Sequence, residues 1–183
     1  MEDKWFECQC VRCLDPTELG THGSTLICPA CHKGHVVPCS SAIDWKCSGC
    51  PSLMASGVGT QLMEDLHSQS QDLLKGPPSV VNIERFLARH QGKTAHPNHM
   101  SLMNLKFSLC GFYGRVQGYT MNEMTEDMLK RKRQLCEDTL TVLNKIDAGP
   151  SPRKGKLIIR VRVKIRLFTT FDLSEYIFLC ISS

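Results

Sequence analysis

The chain has 183 residues, an apolar fraction of 42% and a formal net charge of +4. This length suits one ordinary domain or two small ones, and the apolar content excludes wholesale disorder. No apolar run approaches the roughly 18 residues that cross a bilayer, and because the start, Met1-Glu2-Asp3-Lys4, is acidic and has no apolar run, we expect no secretory signal. We therefore expect a globular nuclear or cytoplasmic protein, not a secreted or membrane protein.

The cysteines and the positive charge lie at opposite ends of the chain. Eight of the 11 cysteines precede residue 51, and residues 1–50 have a net charge of −2. Residues 151–183 carry seven basic and two acidic side chains, so the net positive charge belongs to this tail. In a chain that is not secreted, cysteines this dense are more often metal ligands than disulfides.

Residues 1–52 form a turn-rich block with too few large apolar side chains to support a core, so a metal is expected to hold it together. Cys28, Cys31, Cys47 and Cys50 follow the pattern C-x2-C-x15-C-x2-C. Each pair can offer two sulfurs to one tetrahedral ion, which predicts a structural zinc site. The rival interpretation, a redox-active C-x-x-C, requires a strand-to-helix setting that this segment lacks.

A second cysteine cluster, formed by Cys8, Cys10 and Cys13, provides only three thiolates. A tetrahedral zinc ion needs a fourth ligand, which could be His22, Cys39 or a residue outside this chain. Ligand sets that mix the two clusters also remain open. Zinc here would stabilise a fold, because no general base accompanies the cysteines.

Residues 53–150 show helical spacing that glycine and proline divide into four predicted helices, 59–75, 80–90, 97–117 and 120–146. Thr120 and Glu123 fit a capping box at the start of the last helix. Short loops favour antiparallel neighbours and therefore a small helical bundle or repeat-like array. The apolar stripes of the last three predicted helices are Val80, Ile83, Phe86 and Leu87, then Leu102, Leu105, Leu109 and Phe112, then Met121, Met124, Met128, Leu135, Leu140 and Leu143.

The basic tail, residues 151–183, contains a run over 157–168 in which apolar and cationic residues alternate strictly from 160 to 167, and this pattern predicts a strand. Its cationic face could track the phosphates of a nucleic acid or an acidic lipid. We favour instead a truncated, alternatively spliced or misassembled C-terminus. His96 and His99 flank a predicted helix start at Pro97 and are interpreted as structural or solvent-facing.

The run Trp5-Phe6-Glu7-Cys8-x-Cys10-x-x-Cys13, followed by Asp15-Pro16-Thr17-Glu18-Leu19-Gly20-Thr21 and the two C-x-x-C pairs, resembles the SET and MYND (SMYD) family, in particular its arthropod branch. Softer similarity, including Tyr113-Gly114 and Arg131-Lys132, continues to about residue 156. The resemblance implies that the chain is a C-terminal portion: a post-SET zinc block followed by a tetratricopeptide-like helical domain. In that family the catalytic SET core transfers methyl groups from S-adenosylmethionine to protein lysines.

Under this resemblance, Cys8, Cys10 and Cys13 are three post-SET zinc ligands whose fourth partner is a cysteine of the SET core. Phe6 matches an aromatic residue that packs near the adenine of the cofactor, although it could equally anchor the zinc block. The Asn-His-Ser-Cys motif of the SET core and the MYND finger are absent from these 183 residues. The resemblance therefore implies a non-catalytic scaffold, with S-adenosylmethionine bound only by a longer parent protein.

Two other classes of protein compete with this interpretation. A zinc ribbon that binds nucleic acid would account for the cysteine pairs and the basic tail, but a ribbon that grips phosphates should itself be basic. A thiol oxidoreductase would need an accessible cysteine of low pKa. We expect protein partners for the helical domain, and neither nucleic acid nor a membrane.

Overall fold

The computed structural model describes residues 10–38, 43–147 and 149–165. The chain forms two compact units, residues up to Leu105 and residues from Lys106 onward. The predicted fold class is confirmed, since a small strand region that carries the cysteines precedes a series of helices. No helix among the described residues combines the length and apolarity needed to cross a membrane. The domain boundaries at residues 52 and 150 and the tetratricopeptide-like character stay predictions.

The cysteine block contains two antiparallel hairpins made of very short strands. Strand β1 pairs with β2, with Leu26 opposite Val36, and β3 pairs with β4, with Trp45 opposite Met54. These four residues are buried, so each hairpin contributes a small apolar face. The elements up to this point are helix α1 (Val11–Leu14) and strands β1 (Leu26–Ile27), β2 (His35–Val36), β3 (Asp44–Lys46) and β4 (Leu53–Ala55).

The remaining elements are helices α2 (Ser56–Lys75), α3 (Val80–His90), α4 (Met100–Phe112), α5 (Glu126–Ile146) and α6 (Pro152–Ile165). Helix α3 has the predicted bounds, because Ser79 caps its start by accepting a hydrogen bond from the Asn82 N–H. Its predicted stripe is buried as well. Leu102, Leu105 and Leu109 on α4 are also fully buried.

The predicted start of the last long helix at residue 120 is wrong. Glu123 does accept hydrogen bonds from the N–H and the hydroxyl of Thr120, but they close a turn. Helix α5 begins at Glu126 instead, where the Thr125 side chain accepts from the Met128 N–H. Threonine is a favourable N-cap residue. The carboxylates of Glu126 and Asp127 in the first turn also stabilise the helix, because they lie near the positive end of its dipole. Helix α4 is likewise shorter at both ends than predicted.

The strand predicted over 157–168 is also wrong, because α6 extends through Ile165. Ser151 accepts a hydrogen bond from the Lys154 N–H, and Pro152 occupies the first helical position, where its missing N–H costs nothing. A lone strand would leave its backbone groups unpaired, whereas a helix pairs them internally. Arg, Lys, Leu and Ile are all compatible with that choice. Residues 166–168 lie outside the described residues.

In the second unit, α5 packs against α6. The core there contains fully buried side chains from α4, α5 and α6, namely Leu109, Cys110, Leu135, Cys136 and Leu157. Lys106 is also buried, at 1% exposure, and its Nζ lies 3.9 Å from Asp138 Oδ2. The second unit is therefore held by helix packing that includes a buried cation.

Candidate metal centre

Each predicted cysteine pair lies in a knuckle attached to one hairpin. The knuckle Cys28 to Cys31 leaves β1 and returns to β2, where the Cys28 N–H donates to the Gly34 carbonyl. The second knuckle, Cys47 to Cys50, joins β3 to β4 and is closed by the Cys47 N–H donating to the Ser52 carbonyl. A bridge between Val36 and Cys47 and a hydrogen bond from Ser48 N–H to the His35 carbonyl hold the hairpins together.

The four sulfurs of Cys28, Cys31, Cys47 and Cys50 all lie within 4.8 Å of one another. The Sγ atoms of Cys28 and Cys50 are 3.8 Å apart, as are those of Cys31 and Cys47. A tetrahedral ion with Zn–S bonds of about 2.3 Å requires sulfurs separated by about 3.8 Å. A disulfide would need about 2.05 Å, and these cysteines are free thiols. The geometry therefore fits zinc.

Backbone N–H groups already point at two of the sulfurs. Cys31 Sγ accepts from the Gly34 N–H at 3.2 Å, and Cys47 Sγ accepts from the Gly49 N–H at 3.3 Å. Gly34 has no room for a side chain, since a Cβ would overlap Cys47 Sγ and lie 3.2 Å from Cys31 Sγ. The glycine thus permits the close approach of the two knuckles.

The electrostatics of the quartet also call for a cation. Backbone N–H groups of Lys33 and Gly34 lower the pKa of Cys31 to about 6. At Cys47 the Gly49 N–H lowers the pKa, but burial and the sulfurs of Cys50, Cys28 and Cys31 outweigh it and raise the pKa to about 11. Four thiolates this close repel one another, and a divalent metal ion offsets two of their four negative charges. Zinc would supply that charge and leave no open coordination position, which is the arrangement of a structural site.

Strand β3 connects the metal centre to helix α2 through Trp45. The Trp45 side chain is buried at 4% exposure, although both neighbours in β3 are exposed. It packs directly on the backbone of Gly59, where a Cβ would overlap the ring carbons Cζ3 and Cε3. The alternating pattern of β3 therefore turns one large aromatic residue onto the first turns of α2.

A second contact joins the block to the segment between α3 and α4. The Ile27 N–H donates to the Thr94 carbonyl, and the His96 N–H donates to the Thr25 carbonyl. Beside these bonds the rings of His22, His35 and His96 cluster, with centroids 4.6 to 5.2 Å apart. The cysteine quartet is nevertheless the one group of three or more possible ligands whose atoms converge in the described part of the chain.

Sequence reasoning missed this histidine cluster, because its members are distant in the sequence and meet only through tertiary packing. His22, one candidate for the fourth ligand of the first cysteine cluster, lies against His35 and His96. His99 is buried, and its Nδ1 accepts from the Ser101 N–H. This placement agrees with the structural interpretation of His96 and His99.

The other predicted site residues lie mostly outside the described residues. Phe6, Cys8 and Cys39 belong to segments that the structure does not describe. Cys13 is part of helix α1, and Cys10, the residue that precedes this helix, is exposed. The ligand role of Cys8, Cys10 and Cys13 and the cofactor contact of Phe6 stay predictions.

Comparison with known proteins finds similarity to a SET domain-containing protein. The chain is 26% identical over 160 residues to the SET domain-containing protein SmydA-8 of Drosophila melanogaster, in its isoforms B and A. The match covers 85% of this chain but only 34% and 33% of the two isoforms, so the chain spans about a third of their length. No protein-family model matches the chain, and no solved structure is significantly similar to it. The similarity supports a SMYD-like assignment.

Proposed function

We propose that the chain is a zinc-stabilised protein-interaction scaffold from a SMYD-type SET-domain protein and does not itself transfer methyl groups. The observation that carries this proposal is the closed quartet of Cys28, Cys31, Cys47 and Cys50, whose sulfurs all lie within 4.8 Å. A metal that is bound by four sulfurs has no position left for water or substrate. Its contribution is then to fold the block, not to catalyse a reaction.

The similarity to SmydA-8 supports the link to SET-domain proteins, and the fact that the chain spans only about a third of that relative supports a longer parent protein. In such a parent, a cysteine of the SET core would complete the zinc site of Cys8, Cys10 and Cys13, and Phe6 would approach S-adenosylmethionine. The Asn-His-Ser-Cys motif is absent from the 183 residues, which argues against methyl transfer by this chain alone. We place the protein in the nucleus or cytoplasm.

The helices are the part of the scaffold that we assign to protein partners. The alternative, a zinc ribbon that binds nucleic acid, has little support, because the block that carries the cysteines is acidic over residues 1–50. Because α6 is a helix and not the predicted strand, its cations do not form the straight row that could have followed a phosphate backbone. No specific observation favours nucleic acid over protein.

Methyl transfer by the purified, zinc-loaded chain is the test of the non-catalytic claim. The assay uses S-adenosylmethionine with a labelled methyl group and a mixture of histones and cytosolic proteins as acceptors. We expect no turnover above a heat-denatured control. Turnover that is retained after repurification, and lost in a Cys31→Ser variant, would overturn the proposal.

A further inference from the structure

The link between helices α5 and α6 carries the only Ser-Pro step of the sequence, and the sequence has no Thr-Pro step. Ser151 and Pro152 are followed by Arg153 and Lys154, so the segment reads Ser-Pro-Arg-Lys. Proline has no backbone N–H, and a kinase pocket that offers no acceptor at this position selects it. A serine followed directly by proline, with a cation at the third position after it, is the substrate pattern of one subclass of proline-directed protein kinases.

Ser151 lies in an open part of the second unit. Its neighbours Pro150 and Pro152 are exposed, and Ser151 itself is half-buried. A Cβ placed at Gly149 would have no neighbour within 4 Å, and neither would one at Gly155. There is therefore empty space on both sides of the serine, which an enzyme that acts on its hydroxyl requires.

A kinase binds its substrate serine in an extended segment, so the first turn of α6 must open during the reaction. The bonds to be broken are few. The Lys154 N–H donates to Ser151 Oγ at 3.3 Å, the Gly155 N–H donates to the Ser151 carbonyl at 2.9 Å, and Lys154 Nζ donates to two carbonyls of the preceding link. The first N–H groups of a helix have no intrahelical acceptor, and helix ends open more readily than helix interiors.

The charges at the start of α6 are unfavourable, in contrast to those at the start of α5. Helix α5 has Glu126 and Asp127 in its first turn. Helix α6 has no acidic residue there and begins with the cations Arg153, Lys154 and Lys156. Because the N-terminal end of a helix carries a positive partial charge, these cations destabilise it. A phosphoserine, with a charge of about −1.5 to −2 at pH 7, would compensate both.

We propose that Ser151 is phosphorylated by an ATP-dependent, proline-directed protein kinase and that the phosphate stabilises the first turn of α6. Ser151 Oγ forms a bond to the γ-phosphorus of ATP, the bond from that phosphorus to the bridging oxygen breaks, and ADP leaves. The hydroxyl proton passes to the catalytic aspartate of the kinase. The phosphate oxygens then accept from the N–H groups of Arg153 and Lys154. This proposal goes beyond the scaffold function and does not depend on it.

Ser79 provides an internal comparison, because it has the same local role at the start of another helix. It follows Pro78, is half-buried, and accepts a hydrogen bond from the Asn82 N–H as the cap of α3. The residue after it is Val80, not proline. A helix cap alone therefore predicts the same behaviour at Ser79 and Ser151, whereas recognition by a proline-directed kinase predicts modification at Ser151 only.

The direct test is incubation of the zinc-loaded chain with magnesium, ATP and a purified cyclin-dependent kinase, which recognises Ser-Pro-x-Lys. A reference peptide with this pattern shows that the kinase is active. Mass spectrometry of the intact chain and of its peptides should find one phosphate, on Ser151. Ser151→Ala should abolish labelling, Pro152→Ala should slow it at least tenfold, and the matched control Ser79→Ala should be labelled as the wild type is. Zinc content and circular dichroism confirm that the variants fold.

Absence of labelling in the folded chain while the reference peptide is phosphorylated overturns the proposal. Labelling that persists in Ser151→Ala, or that is as fast in Pro152→Ala as in the wild type, also overturns it. For the effect on α6, amide hydrogen exchange at Arg153 and Lys154 should slow at least threefold on phosphorylation and recover after treatment with a phosphatase. Unchanged or faster exchange overturns the stabilising role of the phosphate. None of these results bears on methyl transfer, so the modification site and the scaffold function can fail separately.

Discussion

The cysteine block and helix α5 reach an ordered state by different physical means. The block has strands of two or three residues, and it buries only a few apolar side chains, such as Leu26, Val36 and Trp45. Helix α5 runs for 21 residues and buries a stripe that includes Leu135, Cys136 and Leu143. The block should therefore depend on a metal ion, whereas α5 should not. On this account, the chain uses its cysteines for two unrelated purposes, metal ligation in the block and packing in the helices.

Removing the metal is the change that we expect to have the most different effects on the stability of the cysteine block and of helix α5. Structural zinc contributes an apparent free energy of about 10–16 kcal/mol in small zinc-binding peptides, so a zinc chelator should unfold β1 to β4. Amide hydrogen exchange resolved by residue measures the effect. We expect loss of protection at Leu26, Val36 and Trp45 and little change at Leu135 and Leu143. Equal loss in both regions would mean that their stabilities are coupled.

Gly59→Val tests the contact that fastens the block to α2. The new side chain would overlap the Trp45 ring, so the strand and helix must separate, which should destabilise the first unit by about 2–3 kcal/mol. Gly57→Ala is the matched control, because a Cβ at Gly57 has no neighbour within 4 Å. That change should stabilise α2 by about 0.5–1 kcal/mol. Chemical denaturation of the metal-loaded protein measures the unfolding free energy of each variant. If Gly59→Val and Gly57→Ala changed that free energy equally, Trp45 would not pack on Gly59.

Asp138→Asn tests the buried cation in the core of the second unit. Lys106 is buried, and loss of the carboxylate near it should destabilise this unit by about 1–2 kcal/mol. Glu126→Gln, which breaks the exposed pair with Lys130, should have little measurable effect. Amide hydrogen exchange, resolved by residue on α5, would measure the effect of each substitution on stability. A larger effect at Glu126 than at Asp138 would contradict the importance of the buried pair.

The smallest expected effect is on the titration of His99. Burial lowers the pKa of His99, the positive charge of His67 lowers it further, and Glu18 partly opposes the shift. Because the unfolded state binds the proton more readily, His99 contributes stability above its ordinary pKa near 6.5, and this contribution is lost as the pH falls. An NMR titration of the ring should give a pKa below 6.5. His99→Asn, which can keep an acceptor for the Ser101 N–H, should reduce the loss of stability in acid.

The parts of the fold that could be predicted depend on local chemistry. The quartet follows from ligand spacing within 23 residues, 28 to 50, and α3 follows from Ser79 at its start and the prolines before it. Charged residues alternate with apolar ones from Arg160 to Lys164 in α6, yet the segment is a helix, so periodicity alone favoured the wrong element. The cluster of His22, His35 and His96 depends on the packing of distant segments, which spacing does not reveal.

Native mass spectrometry of the intact chain tests the central claim most directly. We predict tightly bound zinc in the wild type, one fewer zinc ion in Cys31→Ser and in Cys47→Ser, and no change in Cys136→Ala, since Cys136 is a buried helix residue outside the quartet. A second zinc ion in the wild type would mean that Cys8, Cys10 and Cys13 find a local fourth ligand. A chain that carries no zinc and still protects the amides of β1 to β4 from exchange would contradict the account.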